Sequence, residues 1–176
     1  MRRARCALYA GVMVGVLAFA FDARAEEVHQ DPRAFLAETF GGTIPAPHKL
    51  WVTPALKRDI KSIMGQDLGA LRIRYWASGE RTAWILDDIG KEQPITTGLV
   101  VDAHRLSSVR VLIYRESRGW EVKYPAFTDQ FRGALLKRDL TLDRGIDGVS
   151  GATLSVHALT RLARLALLLD SHIQAR

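Results

Sequence analysis

Apolar positions recur along the chain with two different periods, and the switch between them sets the expected architecture. Near the C-terminus Leu159, Leu162, Ala163, Ala166 and Leu169 fall on one stripe at helical spacing, which predicts a long helix with one face in the core. Far upstream, "DPRAFLAETF" reads as a short helix with Pro32 in its first turn, and "GGTIPAPHK" as a Gly/Pro-rich loop. A second helix is predicted from Thr53. Threonine is a favourable N-cap, Pro54 suits the first helical position, Leu56, Ile60, Ile63 and Met64 share a face, and Gly65 ends it.

From there the pattern changes to period two or to short β-rich runs: "LRIRYWA", "RTAWILDD", "ITTGLVVD" and "SSVRVLIYRE". The links "SGE", "IGKEQP" and "AHRL" are too short for crossovers, so the strands should form an antiparallel meander. Thr128 or Asp129 then caps a predicted helix "DQFRGALL", and a loop leads through Asp147 to the final helix. A block of strands with helices before and after gives an α+β single domain, an antiparallel β-meander sheet flanked by helices. Neither an internal repeat nor a second composition regime divides it. Residues 26–83 are the N-terminal helical and first-strand region, and 84–176 the region that carries the chemistry discussed below.

The first 25 residues follow another logic. "MRRAR" is basic, "CALYAGVMVGVLAFAF" is apolar, and "ARA" before Glu26 has the small residues of a cleavage site, so this segment is read as a signal peptide and the mature protein as periplasmic or otherwise exported. An uncleaved anchor is the competing reading; Ala23, Ala25 and the lack of a basic stop-transfer cluster weigh against it. Arg2 and Arg3 lack the rest of a twin-arginine signal. Cys6, the only cysteine, lies inside the segment, so a mature chain would have no thiol for a disulfide, a thiolate metal site or cysteine catalysis. Cleavage would remove four arginines and one aspartate, lowering the formal charge from +6 to +3. With no long basic run, that surplus does not indicate nucleic-acid binding.

Candidate chemistry is sparse. The histidines form no H-E-x-x-H or other ligand cluster, and Ser150 is not in a G-x-S-x-G elbow, so neither a metal site nor a serine hydrolase is expected. His157 reads as a polar-face helix residue, and Trp51, Trp76 and Trp84 as core or rim. What stands out is "DGVSGATLS", Asp147–Ser155, where Ser150, Gly151, Ala152 and Thr153 precede the last helix. Such a tetrad can be a plain helix cap, with Thr153 or Ser155 satisfying free N–H groups. It can also be an open anion site, because free N–H groups and the helix dipole both favour a phosphate.

This stretch resembles the D-G-x-[ST]-G-A-[ST]-x-[ST] signature of the FMN-binding domain found in NqrC- and RnfG-type subunits of bacterial redox pumps and in small exported flavoproteins. The resemblance implies FMN attached covalently, by a phosphoester bond to Thr153, through a flavin transferase acting after export. It implies cofactor contacts from Asp147, Gly148, Ser150, Gly151 and Ala152. It extends upstream over "ITTGLVVDAHRLSSVRVL", which resembles the family's pair of strands. "YRESRGWEVKYPAFTDQFRG" occupies the place of the family's E-T-P-G-L-G segment, which lies against the flavin. Glu116 and Gly119 match that segment, while Ser117 and Arg118 replace its Thr-Pro. Arg118 would then offset charge at the reduced flavin, and Trp120 or Tyr124 would stack on the ring. The implied function is an electron-transfer carrier working with a redox partner such as a membrane reductase, rather than a stand-alone enzyme. The alternative is a non-catalytic module that binds FMN reversibly or binds no flavin.

Overall fold

The computed structural model describes residues 27–174; the predicted signal peptide lies outside the described residues. Six antiparallel strands form one sheet: β1 (Glu27–Val28), β2 (His48–Trp51), β3 (Arg72–Ser78), β4 (Arg81–Ile89), β5 (Pro94–Asp102) and β6 (Arg105–Tyr114). Their order is β1-β6-β5-β4-β3-β2, a meander from β2 to β6 with β1 added beside β6. The four helices are α1 (Pro32–Thr39), α2 (Pro54–Met64), α3 (Pro125–Thr128) and α4 (Thr153–Gln174). This is the α+β single domain expected from the sequence.

Local chemistry explains the first helices. The Asp31 carboxylate accepts from the N–H groups of Arg33 and Ala34, capping α1 ahead of Pro32. Thr53 Oγ1 accepts from Leu56 N–H, and Gly65 closes α2 in the left-handed region at φ 73°.

The sheet is covered on both faces. Helix α4 packs over β4, β5 and β6 and against α2, while α1 lies across β4 and β5 on the other side. Strand β5 shows why it must be central: Ile95, Leu99 and Val101 point into the larger core beneath α4, and Val100 into the smaller one with Phe35 and Leu36 of α1. The tip of the Phe35 ring abuts Gly98, where a Cβ would come within 2.7 Å of it. Register shifts in β5–β6 let Leu106 and Val109, three residues apart, serve the same core.

At its far end α4 is fastened by a polar chain. Trp84 Nε1 donates to Thr82 Oγ1 (3.0 Å), Thr82 donates to Asp170 Oδ1 (2.8 Å), and Asp170 Oδ2 meets His104 Nδ1 at 3.1 Å. Asp170 is 1% exposed; burial raises its pKa against the opposing pull of the Thr82, His104 and Gln174 hydrogen bonds and the His104 charge.

Two segments differ from the sequence expectation. "HKLW", read mostly as loop, is edge strand β2, paired along β3 from His48↔Tyr75 to Trp51↔Arg72. The helix expected over "DQFRGALL" is reduced to a 3₁₀ turn, Asp129–Phe131, with the single-turn α3 ahead of it. Gly133 stands at φ 78°, Leu106 exchanges hydrogen bonds with Gly133 and Ala134, and Leu136 bridges Leu142. Tertiary pairing and a glycine in the left-handed region override the apolar spacing there.

Candidate functional site

Three segments meet at the N-terminal end of α4: the β4–β5 link, the segment after β6, and the Ser150–Thr153 tetrad. Between them lies a cleft of about 540 Å³, lined by Lys91, Glu92, Glu116, Ser117, Arg118 and Gly151 to Ser155.

The start of α4 is bare. The Ala152 carbonyl accepts from Val156 N–H (3.0 Å), so Ala152 occupies the capping position, where its methyl group can accept nothing. Among the described residues no group accepts a hydrogen bond from the N–H groups of Thr153, Leu154 or Ser155. Neither hydroxyl that the plain capping reading would use acts as a cap. Thr153 is exposed on the cleft, and Ser155, 4% exposed, faces Tyr114 instead. The tetrad bends into the helix through Gly151, at φ 80°, with open space around it.

Behind the tetrad the packing is close. A Cβ on Gly119 would fall 2.8 Å from that of Ala152 and 3.2 Å from the Tyr114 hydroxyl. Tyr114 donates to the Arg118 carbonyl (2.6 Å), which leaves its oxygen to accept from Ser155 Oγ at 3.4 Å. Burial pushes the Tyr114 phenol above its ordinary pKa, aided by the charges of Glu116 and Glu121 and opposed by Ser155. Gly90 is equally tight: a Cβ there would lie 2.8 Å from Glu116 Oε1 and 3.3 Å from Ser155 Oγ.

Glu116 closes the arrangement. Its Oε1 accepts from three successive N–H groups, Lys91 (2.5 Å), Glu92 (2.7 Å) and Gln93 (3.0 Å). Burial alone would raise its pKa, but the three N–H bonds and the Lys91 charge outweigh that and hold it below the ordinary carboxylate value. Nearby, Asp88, buried at the end of β4, receives Arg161 Nε of α4 at 2.7 Å, tying the strand that precedes Gly90 to the helix.

The residues predicted for the site divide into two groups. Gly151, Ala152, Thr153, Glu116 and Arg118 line the cleft, and Gly119 lies directly behind Ala152. Ser150 is exposed just before the bend; Asp147 and Gly148 are further out, Asp147 N–H donating to Gln130 Oε1 (2.7 Å). Trp120 is 47% exposed and edge-on to Tyr124, with ring centroids 5.6 Å apart, and neither ring is among the cleft-lining residues. His157 is exposed on α4, as its pattern predicted. Sequence reasoning missed Lys91, Glu92 and Tyr114, and read Ser155 only as a possible helix cap. The glycine in "IGKEQP" was the available sign that this link makes a close approach.

FMN requires room for a ring system and an anchorage for a phosphate. The cleft volume falls in the range usual for cofactors, and the uncapped N–H groups, Lys91 and Arg118 supply positive character, so the residues fit. Residues 90–168 match the family model of the FMN-binding domain, a span that starts at Gly90 and takes in Glu116, Gly119 and the whole tetrad. Residues 90–168 thus resemble the FMN-binding domain family, which supports a flavin-binding protein. No curated protein and no solved structure matches the chain. Among the described residues no helix is long and apolar enough to cross a membrane.

Proposed function

We propose that the protein is an exported electron-transfer carrier that holds FMN covalently, through a phosphate ester on Thr153. The observation that carries this reading is the exposed Thr153 hydroxyl at an uncapped helix start, on the cleft of a domain that matches the FMN-binding family. Of the neighbouring hydroxyls, Ser155 is buried against Tyr114, Ser150 is not among the lining residues, and Ser117, exposed on the cleft, is not at a helix start, so this reading favours Thr153 as the acceptor.

Attachment forms a P–O bond to Thr153 Oγ1, breaks a phosphoanhydride in an activated flavin dinucleotide, and releases a nucleotide and the hydroxyl proton. A flavin transferase supplies that step. The remaining phosphate charge then sits at the positive end of α4, beside N–H groups that otherwise lack a partner. Bound FMN supplies one- and two-electron transfer; the chain contributes anchorage, cleft walls and charge. Arg118 on the cleft wall favours the more negative, reduced state of the ring. A redox partner, such as a membrane reductase, delivers or removes the electrons.

Intact mass decides the attachment. Co-expressed with a competent flavin transferase, the protein should gain the mass of FMN less water; Thr153→Val should gain nothing, and Thr153→Ser should retain part of the adduct. An adduct persisting in Thr153→Val would show that the acceptor is elsewhere. Flavin that co-purifies without any mass increment would favour reversible binding.

A further inference from the structure

Glu116 matches the segment expected to lie against the flavin, yet its carboxylate is turned to its own backbone. One oxygen takes the N–H groups of three consecutive residues, a compact anion nest filled from within the chain. Those residues form the link between β4 and β5, which closes on itself through Gly90 N–H to Gln93 carbonyl (3.1 Å). Gly90 has no room for a side chain because Glu116, Ile95 and Ser155 press on it. Two members of the held loop, Lys91 and Glu92, line the same cleft as Thr153, and the Lys91 side chain, 70% exposed, has its ammonium 3.4 Å from Glu92.

The geometry points to Glu116 as a positioning residue: it latches the Lys91–Gln93 loop so that the Lys91 ammonium is presented to the FMN phosphate at Thr153. This role rests on the attachment reading above. The carboxylate's bonded oxygen is committed to the loop rather than to a ligand. Its work is to fix three amides whose orientation sets where the loop, and therefore Lys91, stands. An unlatched loop would leave the same lysine free to swing into solvent, and three N–H groups without their acceptor. Glu116 and Lys91 consequently act as one unit, and removing either should remove the same interaction.

The test combines hydrogen exchange on the flavin-free protein with the rate of covalent loading by a co-purified flavin transferase. Glu116→Gln keeps the shape but loses the charge. It should speed exchange at the Lys91, Glu92 and Gln93 amides by about tenfold or more, and slow loading. Lys91→Met, at an exposed position, should slow loading to a similar degree while its amides remain protected. The double variant should load no more slowly than Glu116→Gln alone, because coupled residues are not additive. Loading at the wild-type rate in Glu116→Gln despite freed amides would overturn the proposal, as would wild-type loading in Lys91→Met or losses that multiply in the double variant. Unchanged exchange in Glu116→Gln would also overturn it. A wild-type protein that never gains an adduct, with its amides responding as described, would refute the attachment reading and the role of Lys91 while leaving the latch standing.

Discussion

Gly119 and Ala152 meet so closely that the glycine has no room for a side chain: a Cβ on it would stand 2.8 Å from the alanine's. The contact joins the segment after β6 to the tetrad, and so sets the back wall of the cleft. It also supplies a packing reason for the small residue in the third position of the tetrad.

Gly119→Ala should therefore destabilise the fold by about 1–3 kcal/mol from overpacking, with an added cost from its φ of 76°. Adding Ala152→Gly should relieve the steric part and leave the backbone part. Urea denaturation of the two single variants and the double would show the coupling; strict additivity would refute the contact.

Gly151 differs in kind, since its surroundings are open and only its φ of 80° demands glycine. Gly151→Ala and Gly151→Leu should each lose about 1–2 kcal/mol of stability from the left-handed backbone. Any further loss of FMN loading in the leucine variant alone measures obstruction of the transferase. Equal loading in both would show that access is not limited here.

Asp170 predicts a pH dependence with a definite sign. Its folded-state pKa is raised, chiefly by burial, so its contribution is fully present below the ordinary aspartate value and is lost as pH rises through the folded value. Asp170→Asn can still accept from Thr82 and has no charge to bury. Its stability relative to wild type should rise from acid toward neutral pH, as followed by denaturant midpoints at several pH values. A constant difference would mean that Asp170 does not titrate in this range.

Arg161→Met should cost about 3 kcal/mol, because it strands the Asp88 carboxylate, 3% exposed, without its 2.7 Å partner. Replacing both, Asp88→Asn with Arg161→Met, should recover much of that loss. Thermal unfolding of the three variants would test it, and a single-variant loss near zero would mean that water satisfies the carboxylate.

Features governed by neighbours in sequence could be read from the sequence. Thr53, Pro54 and Gly65 specify α2 through its own caps, and the leucine stripe specifies α4, because both signals lie within a turn or two of the residues they control. The tetrad was legible for the same reason. Glu116 was legible only as a match to a flavin-facing segment, since the amides it holds are 23 to 25 residues away. The Gly119–Ala152 contact was hidden likewise, being a matter of two chain segments converging. "DQFRGALL" misled because Phe131 and Ala134 are buried at spacing that suits a helix, yet Gly133 and Ala134 pair with Leu106. Edge strand β2 was obscured by the prolines before it and by having a single sheet neighbour.

If FMN is attached as proposed, helix α4 also sets an order of maturation. From Ser155 to Asp170 most of its residues are buried, and its far end is fixed by the Thr82–Asp170–His104 chain, whereas Thr153 and Leu154 stand in solvent. The core is thus complete without any contribution from the proposed acceptor hydroxyl. A modifying enzyme would meet a finished protein and add its cargo to the outer tip of a rod already clamped in place, so that folding comes first and flavin second.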